Sequence, residues 1–294
     1  MTIAKQVAND APGGKIDPLD FVRKLTAELA AGDVHLPSFP DFAARVLKVL
    51  EDPRATPAQV AQVAGADAAL AARVLRLANS PFMNSSSGRI TDLQRAVTRL
   101  GHQLVRCTAL SFALKQMELG SDKAHLRPQL HDLWRKGTLV ASIAFALARE
   151  TQAASPDQAL VTGLMHNVGR LYIAVSAPRQ AVDESDGAWT DVVHQWHPQI
   201  ARAILIHWEF PPAVAAAVGD QNNWNRDQRG GDALTDILIA ASALVPCVFY
   251  RSLLDDVVTA VPPFKRLGLG AADCQRLLLA CAQQIRGLQA TLSG

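Results

Sequence analysis

Eight histidines lie along this chain of 294 residues, and two groups of them have a spacing that could do chemistry. The first is His166 with Asn167, inside the run Gly163-Leu-Met-His-Asn-Val-Gly-Arg-Leu171. The run reads as an apolar helix, and a polar pair on such a helix must be hydrogen-bonded or serve a purpose. Glycines at 163 and 169 each cost a helix roughly 1 kcal/mol relative to alanine, so close approach of something to the backbone is implied. A hydrogen-bonded core histidine is the commoner outcome for such a residue, and a functional histidine is the rarer one. The second group is His194-Gln-Trp-His197, an i, i+3 pair that can share a helical face and ligate a metal. Pro198 follows at once and predicts a new helix start there, which would take His197 off the face of His194.

The four cysteines carry less. Cys107, Cys247, Cys274 and Cys281 contain no C-x-x-C pair, and Cys274 and Cys281 are spaced to share one helical face. Buried small hydrophobes in a reducing cytoplasm explain them better than a zinc site or a disulfide.

Helices must position these groups. Apolar residues make up 49% of the chain and aromatic ones only 5%, so the core is built from Ala, Leu and Val, a mixture suited to packed helices. Helix starts are written at Ser38-Phe-Pro-Asp41, Thr56-Pro-Ala-Gln59, Thr91-Asp-Leu-Gln94 and Ser155-Pro-Asp-Gln158. In each, a hydroxyl can cap the orphan N–H groups and a carboxylate or amide three residues on can reach back. In 67–79, Leu70, Val74 and Leu77 have the helical period, with Asp67 as N-cap and Asn79-Ser80-Pro81 as stop. Stretches 140–150, 158–175 and 199–208 are similarly periodic. About a dozen helices and no sheet are expected. Polar stretches at 118–128 and 222–232 break the chain. They suggest an all-α, two-lobed domain, with a leader over 1–17, an N-terminal lobe over 18–125 and a second lobe over 126–294.

Formal charge is +2, from 29 basic and 27 acidic residues, which argues against a nucleic-acid partner. The longest apolar runs, such as 237–244, are too short to span a bilayer. The first fifteen residues lack an apolar stretch after their lysine, so a secretory signal is not expected and a cytoplasmic location is. Arg95, Arg99 and Arg106 recur near helical spacing and read as a solvated face, with a basic stripe for an anionic partner as the sharper alternative. The small polar loop 82–89 reads as a flexible link.

An ordered series of motifs gives the chain a resemblance. Leu36-Pro-Ser-Phe-Pro40, Asp67-Ala-Ala-Leu70, Val74-Leu-Arg-Leu-Ala-Asn-Ser80 and Ala96-Val-Thr-Arg-Leu-Gly101 resemble the N-terminal signature of HDOD domains. Leu133-Trp134, Gly163-Leu-Met-His166 with Gly169, and Trp208 with Pro211 extend it, over about 36–221. These domains are related to the HD metal-dependent phosphohydrolases and mostly lack their ligands.

The resemblance implies a vestigial pocket. Lys136 stands where the catalytic relatives carry a histidine, His166-Asn167 where they carry His-Asp, and His197 at the next histidine. Asp220-Gln221 stands at a later His pair, and Ser242 falls near the last Asp. HD enzymes hold divalent metals that activate water, and a catalytic centre needs at least three well-placed ligands and an open position. Asn167 removes a bridging charge, and Lys136 places a cation where a lone pair belongs. No cofactor is therefore expected; a residual divalent metal at His166 and His197 is the alternative. The resemblance implies a non-catalytic signal-transduction module acting on a protein partner such as a kinase, a response regulator or a cyclic-dinucleotide enzyme. Two alternatives remain, a divergent phosphodiesterase and a nucleotide or small-molecule sensor that uses the old pocket.

Overall fold

The computed structural model describes residues 17–30, 41–50, 54–80, 88–118, 126–177, 187–226 and 233–280, with single positions 52, 83 and 282. The expectations about the leader, the Ser38 start, most of the 82–89 loop and Cys281 fall outside them. The described residues form helices without a strand, an all-α fold.

Local chemistry accounts for most helix starts. The first helices are α1 (Pro18–Ala30), α2 (Asp41–Leu50), α3 (Pro57–Ala64) and α4 (Ala68–Ala78). Thr56 makes a capping box with Gln59 at the head of α3, and Asp67 accepts from Leu70 N–H at 2.8 Å at the head of α4. Asn79 does more than stop α4. Its amide donates to Leu75 O and Ile90 O and accepts from Ile90 N–H, all within 2.8 Å, so it clasps the two ends of the intervening loop. Helix α5 (Leu93–Glu118) starts one residue later than its sequence suggests. Asp92, not Thr91, accepts from Arg95 N–H at 2.7 Å, because a carboxylate is the stronger cap for a helix N-terminus. Gly101 (φ 71°, ψ 165°) divides α5 into two helical segments.

The second half contains α6 (Arg127–Thr151), α7 (Pro156–Met165), α8 (Val168–Ser176), α9 (Gly187–His207), α10 (Pro212–Gly219) and α11 (Ala233–Phe249). After a short 3-10 turn come α12 (Leu254–Ala260), α13 (Pro262–Arg266) and a last helix over 271–280. The stretch 158–175 is not one helix: it breaks at His166-Asn167, which form the turn between α7 and α8. Helix α9 continues through Pro198 and does not restart there. Proline has no N–H to offer the carbonyl four residues back. That carbonyl is His194 O, and the Asn222 side-chain amide donates to it at 2.8 Å in place of the missing backbone donor. His194 and His197 therefore do share one helix.

Helices α2, α3 and α4 pack on α5; α6, α7, α10 and α11 form a second layered group, with α8 and α9 on its flank. One continuous apolar core links the two groups, from Val22 and Leu70 through Leu147 and Ile200 to Phe264. Helix α1, grouped by sequence with the N-terminal lobe, packs on α9, where Phe21 and Trp189 stack with ring centroids 5.9 Å apart. Its apolar face has Trp189 as its complement, and no sequence pattern announces such a long-range pairing. Cys107, Cys247 and Cys274 are free and buried, as read from sequence.

Arg106 corrects the reading of a solvated arginine face. It is 5% exposed, and its guanidinium donates to Leu50 O (2.6 Å), Trp208 O (2.7 Å) and Glu209 O (2.9 Å). The non-helical backbone at Gly101 interrupts the period between Arg99 and Arg106, so their spacing does not place them on one face. A second buried cluster was not foreseen: Asp236 on α11, fully buried, takes Arg226 and Arg266 guanidinium groups, each at 2.6 Å. It joins the chain after α10 to α11 and α13.

Candidate functional site

The two glycines of the 163–171 run are explained by helix packing. A Cβ on Gly163 would overlap Ala141 of α6, and one on Gly169 would overlap the His197 carbonyl and lie 2.9 Å from Ala201 N. Backbone-to-backbone contact at Gly169 is what brings α9 against α8. It sets His197 beside the turn that carries His166.

His166 is 6% exposed, and its Nδ1 lies 2.7 Å from Gly163 O. A carbonyl only accepts, so Nδ1 carries the proton and Nε2 keeps its lone pair. Burial, and secondarily the charge of Arg170, hold its pKa down to about 4, against the raising effect of the Gly163 carbonyl, so the ring is neutral near pH 7. Its backbone carbonyl accepts from Gln221 Nε2 at 3.1 Å, which also donates to Val218 O. His197 is 2% exposed, and its Nδ1 has no hydrogen-bond partner. Burial first, then Arg170, His166 and His194, depress its pKa to about 2. The exposed His194 ring lies 6.2 Å from that of His197, and its Nδ1 accepts from Arg170 Nη2 at 3.1 Å.

Arg170 is thus the centre of the cluster, and sequence reasoning passed over it. The available signal was a lone cation between Val168-Gly169 and Leu171 in an apolar run. Burial lowers its pKa, the mark of a cation that has lost water.

The structure brings together His166, His197 and Gln221 of the candidates, and adds Arg170 and His194. Lys136 is spent elsewhere: its ammonium is more than half exposed and pairs with Asp132, one turn back on α6, at 2.7 Å. Asp220 is the half-buried C-cap of α10, and its charge does not figure among the influences on either buried histidine. Asn167 sits at the N-cap of α8 without capping it. Ser242 is half-buried on α11. No cluster of three His, Cys, Asp or Glu side chains suited to a metal ion occurs among the described residues.

A divalent metal does not fit this donor set. Among the described residues the charge beside the imidazoles is a guanidinium, which repels a metal ion, and no carboxylate joins them to offset it.

The model of the HDOD domain matches residues 36–224, and the chain belongs to that family. Among solved structures, it is similar to a candidate metal-dependent phosphohydrolase from Shewanella amazonensis SB2B. The two share 22% identity and a TM-score of 0.71, over 94% of this chain and 99% of that one. An HDOD domain protein with unknown function from Geobacter sulfurreducens is 22% identical with a TM-score of 0.60, over 94% and 97% of the two chains. A candidate signal transduction protein from Marinobacter aquaeolei VT8 is 23% identical with a TM-score of 0.58, over 94% of this chain and 66% of that one. Identities this low support the fold alone. No curated protein matches the chain.

Among the described residues no helix is long and apolar enough to cross a membrane.

Proposed function

We propose that this HDOD protein is a non-catalytic regulatory module of bacterial signal transduction, cytoplasmic, that holds no metal and acts by contact with a protein partner. The observation that carries this reading is Arg170. Its guanidinium stands 3.1 Å from His194 and exerts its charge on both buried histidines, where a phosphohydrolase would need a metal and its carboxylates. The name of the Marinobacter structure, a signal transduction protein, is in keeping with it.

One observation favours the phosphohydrolase reading. His166 donates Nδ1–H to a backbone carbonyl and leaves Nε2 available, as metal-ligating histidines do. A single oriented imidazole falls short of the three ligands a catalytic site needs. The deciding experiment incubates the purified protein with manganese and a cyclic dinucleotide. The expected result is turnover no greater than the metal-only blank, identical for wild type and His166→Ala. Hydrolysis that His166→Ala abolishes would overturn the proposal.

A further inference from the structure

Arg170 presents a problem of charge. Its guanidinium is half-buried, and its hydrogen-bond partner among the described residues is a neutral acceptor, His194 Nδ1. No carboxylate lies within ion-pair distance of it among those residues. A cation drawn out of water is costly unless a counter-charge replaces the lost hydration. Among the described residues no such charge is supplied. His197 Nδ1 is buried and unpartnered, and its ring centroid lies 6.2 Å from that of His194. The α8 N-terminus begins two residues before Arg170, and Asn167 gives it no side-chain cap, so the positive end of that helix lies on the same segment as the guanidinium.

The guanidinium fork of α8 and the two imidazoles of α9 meet across the contact between these helices. That arrangement suits a tetrahedral oxyanion better than a planar carboxylate. We propose that Arg170, His194 and His197 form a metal-free receptor for the phosphate group of a small phosphorylated molecule. The exposed His194 marks its mouth, and the buried His197 Nδ1–H is the inner donor. On binding, the Arg170–His194 hydrogen bond is exchanged for contacts of both groups with phosphate oxygens. The inference rests on the reading of the pocket as metal-free, and it adds a ligand class to that reading.

The test is thermal shift and heteronuclear NMR on the full chain with a chelator present. The probes are inorganic phosphate and AMP, with sodium chloride at matched ionic strength as control. The expected result is a saturable rise in Tm with both phosphate probes, together with a shift of the His197 ring nitrogens. Tighter binding of AMP than of phosphate would mark a nucleotide as the source; equal binding would mark the phosphate group alone, and both support the receptor. Arg170→Ala should weaken binding by roughly tenfold or more, the loss of a charge-assisted hydrogen bond. Arg170→Lys keeps the charge without the fork and should fall between; it also serves if the alanine variant does not fold. A wild type with no saturable shift overturns the receptor, as does binding that persists unchanged in both variants. Binding that requires added manganese overturns the receptor and the metal-free reading together. An absence of both phosphate binding and manganese-dependent hydrolysis overturns the receptor alone.

Discussion

At the scale of the residue, the protonation of His166 and His197 couples this pocket to stability. Both are held neutral chiefly by burial, His166 down to about 4 and His197 down to about 2. In the unfolded chain a histidine titrates near pH 6.5. Below that pH the unfolded state takes up a proton that the folded state refuses, so stability falls with pH from about 6.5 towards the folded pKa. Above 6.5 neither state is charged and the contribution is constant. For His166 the loss is on the order of 3 kcal/mol by pH 4. Urea unfolding at pH 7, 5.5 and 4.5 should show that decline, and His166→Gln should make it shallower; equal slopes in both proteins would contradict it. His166 and His197 were legible in the sequence because apolar flanks and i, i+3 spacing are local facts. Arg170 was not, since its meaning depends on which helix lies opposite. The resemblance alone places Lys136 in the pocket, while its own helix offers it a nearer partner. Asp132 lies four residues earlier, and the i, i+4 ion pair it forms with Lys136 takes the ammonium.

At the scale of the element, the helix starts at Thr56, Asp67 and Ser155 were readable because a cap depends on residues within three positions. Where a distant residue decides, the sequence misleads. Pro198 looks like a helix start, yet α9 passes through it because Asn222, far along the chain, satisfies the freed His194 carbonyl. The break between α7 and α8 is hidden by the apolar period, which runs unbroken across His166-Asn167. Gly101 is the third such point. With φ 71° and ψ 165°, it occupies a region of backbone space that is essentially glycine-only. Among the described residues nothing lies within 4 Å of a Cβ placed there, so strain, not collision, opposes substitution. Gly101→Ala is expected to cost about 1–3 kcal/mol. The loss would appear in the urea midpoint of unfolding, and a change within error would show that α5 can straighten without penalty.

At the scale of the molecule, the continuous core does not by itself fix how the N-terminal helices sit against the second group. Arg106 does much of that. It follows the Gly101 turn on α5, reaches Leu50 O at the end of α2, and reaches Trp208 O and Glu209 O in the tight turn between α9 and α10. Glu209, in that turn, holds a left-handed φ of 54°. Three carbonyls from two distant segments thus share one buried cation, and Phe210 lies against its face, 5.7 Å from ring centroid to guanidinium carbon. Hydrogen bonds to a charged group contribute roughly 1.5–3 kcal/mol each, but part-buried carbonyls that lose the guanidinium recover water. Arg106→Met preserves most of the volume and removes every donor, so it isolates this staple from packing. Its expected cost is about 3 kcal/mol, with little change in helical circular dichroism. Hydrogen exchange gives the sharper readout. Amides at the end of α2 and in 208–214 should exchange faster together, because both ends lose the same anchor. Acceleration at one end only would mean that Arg106 braces a single segment, and that the two helical groups are held in register by the shared core alone.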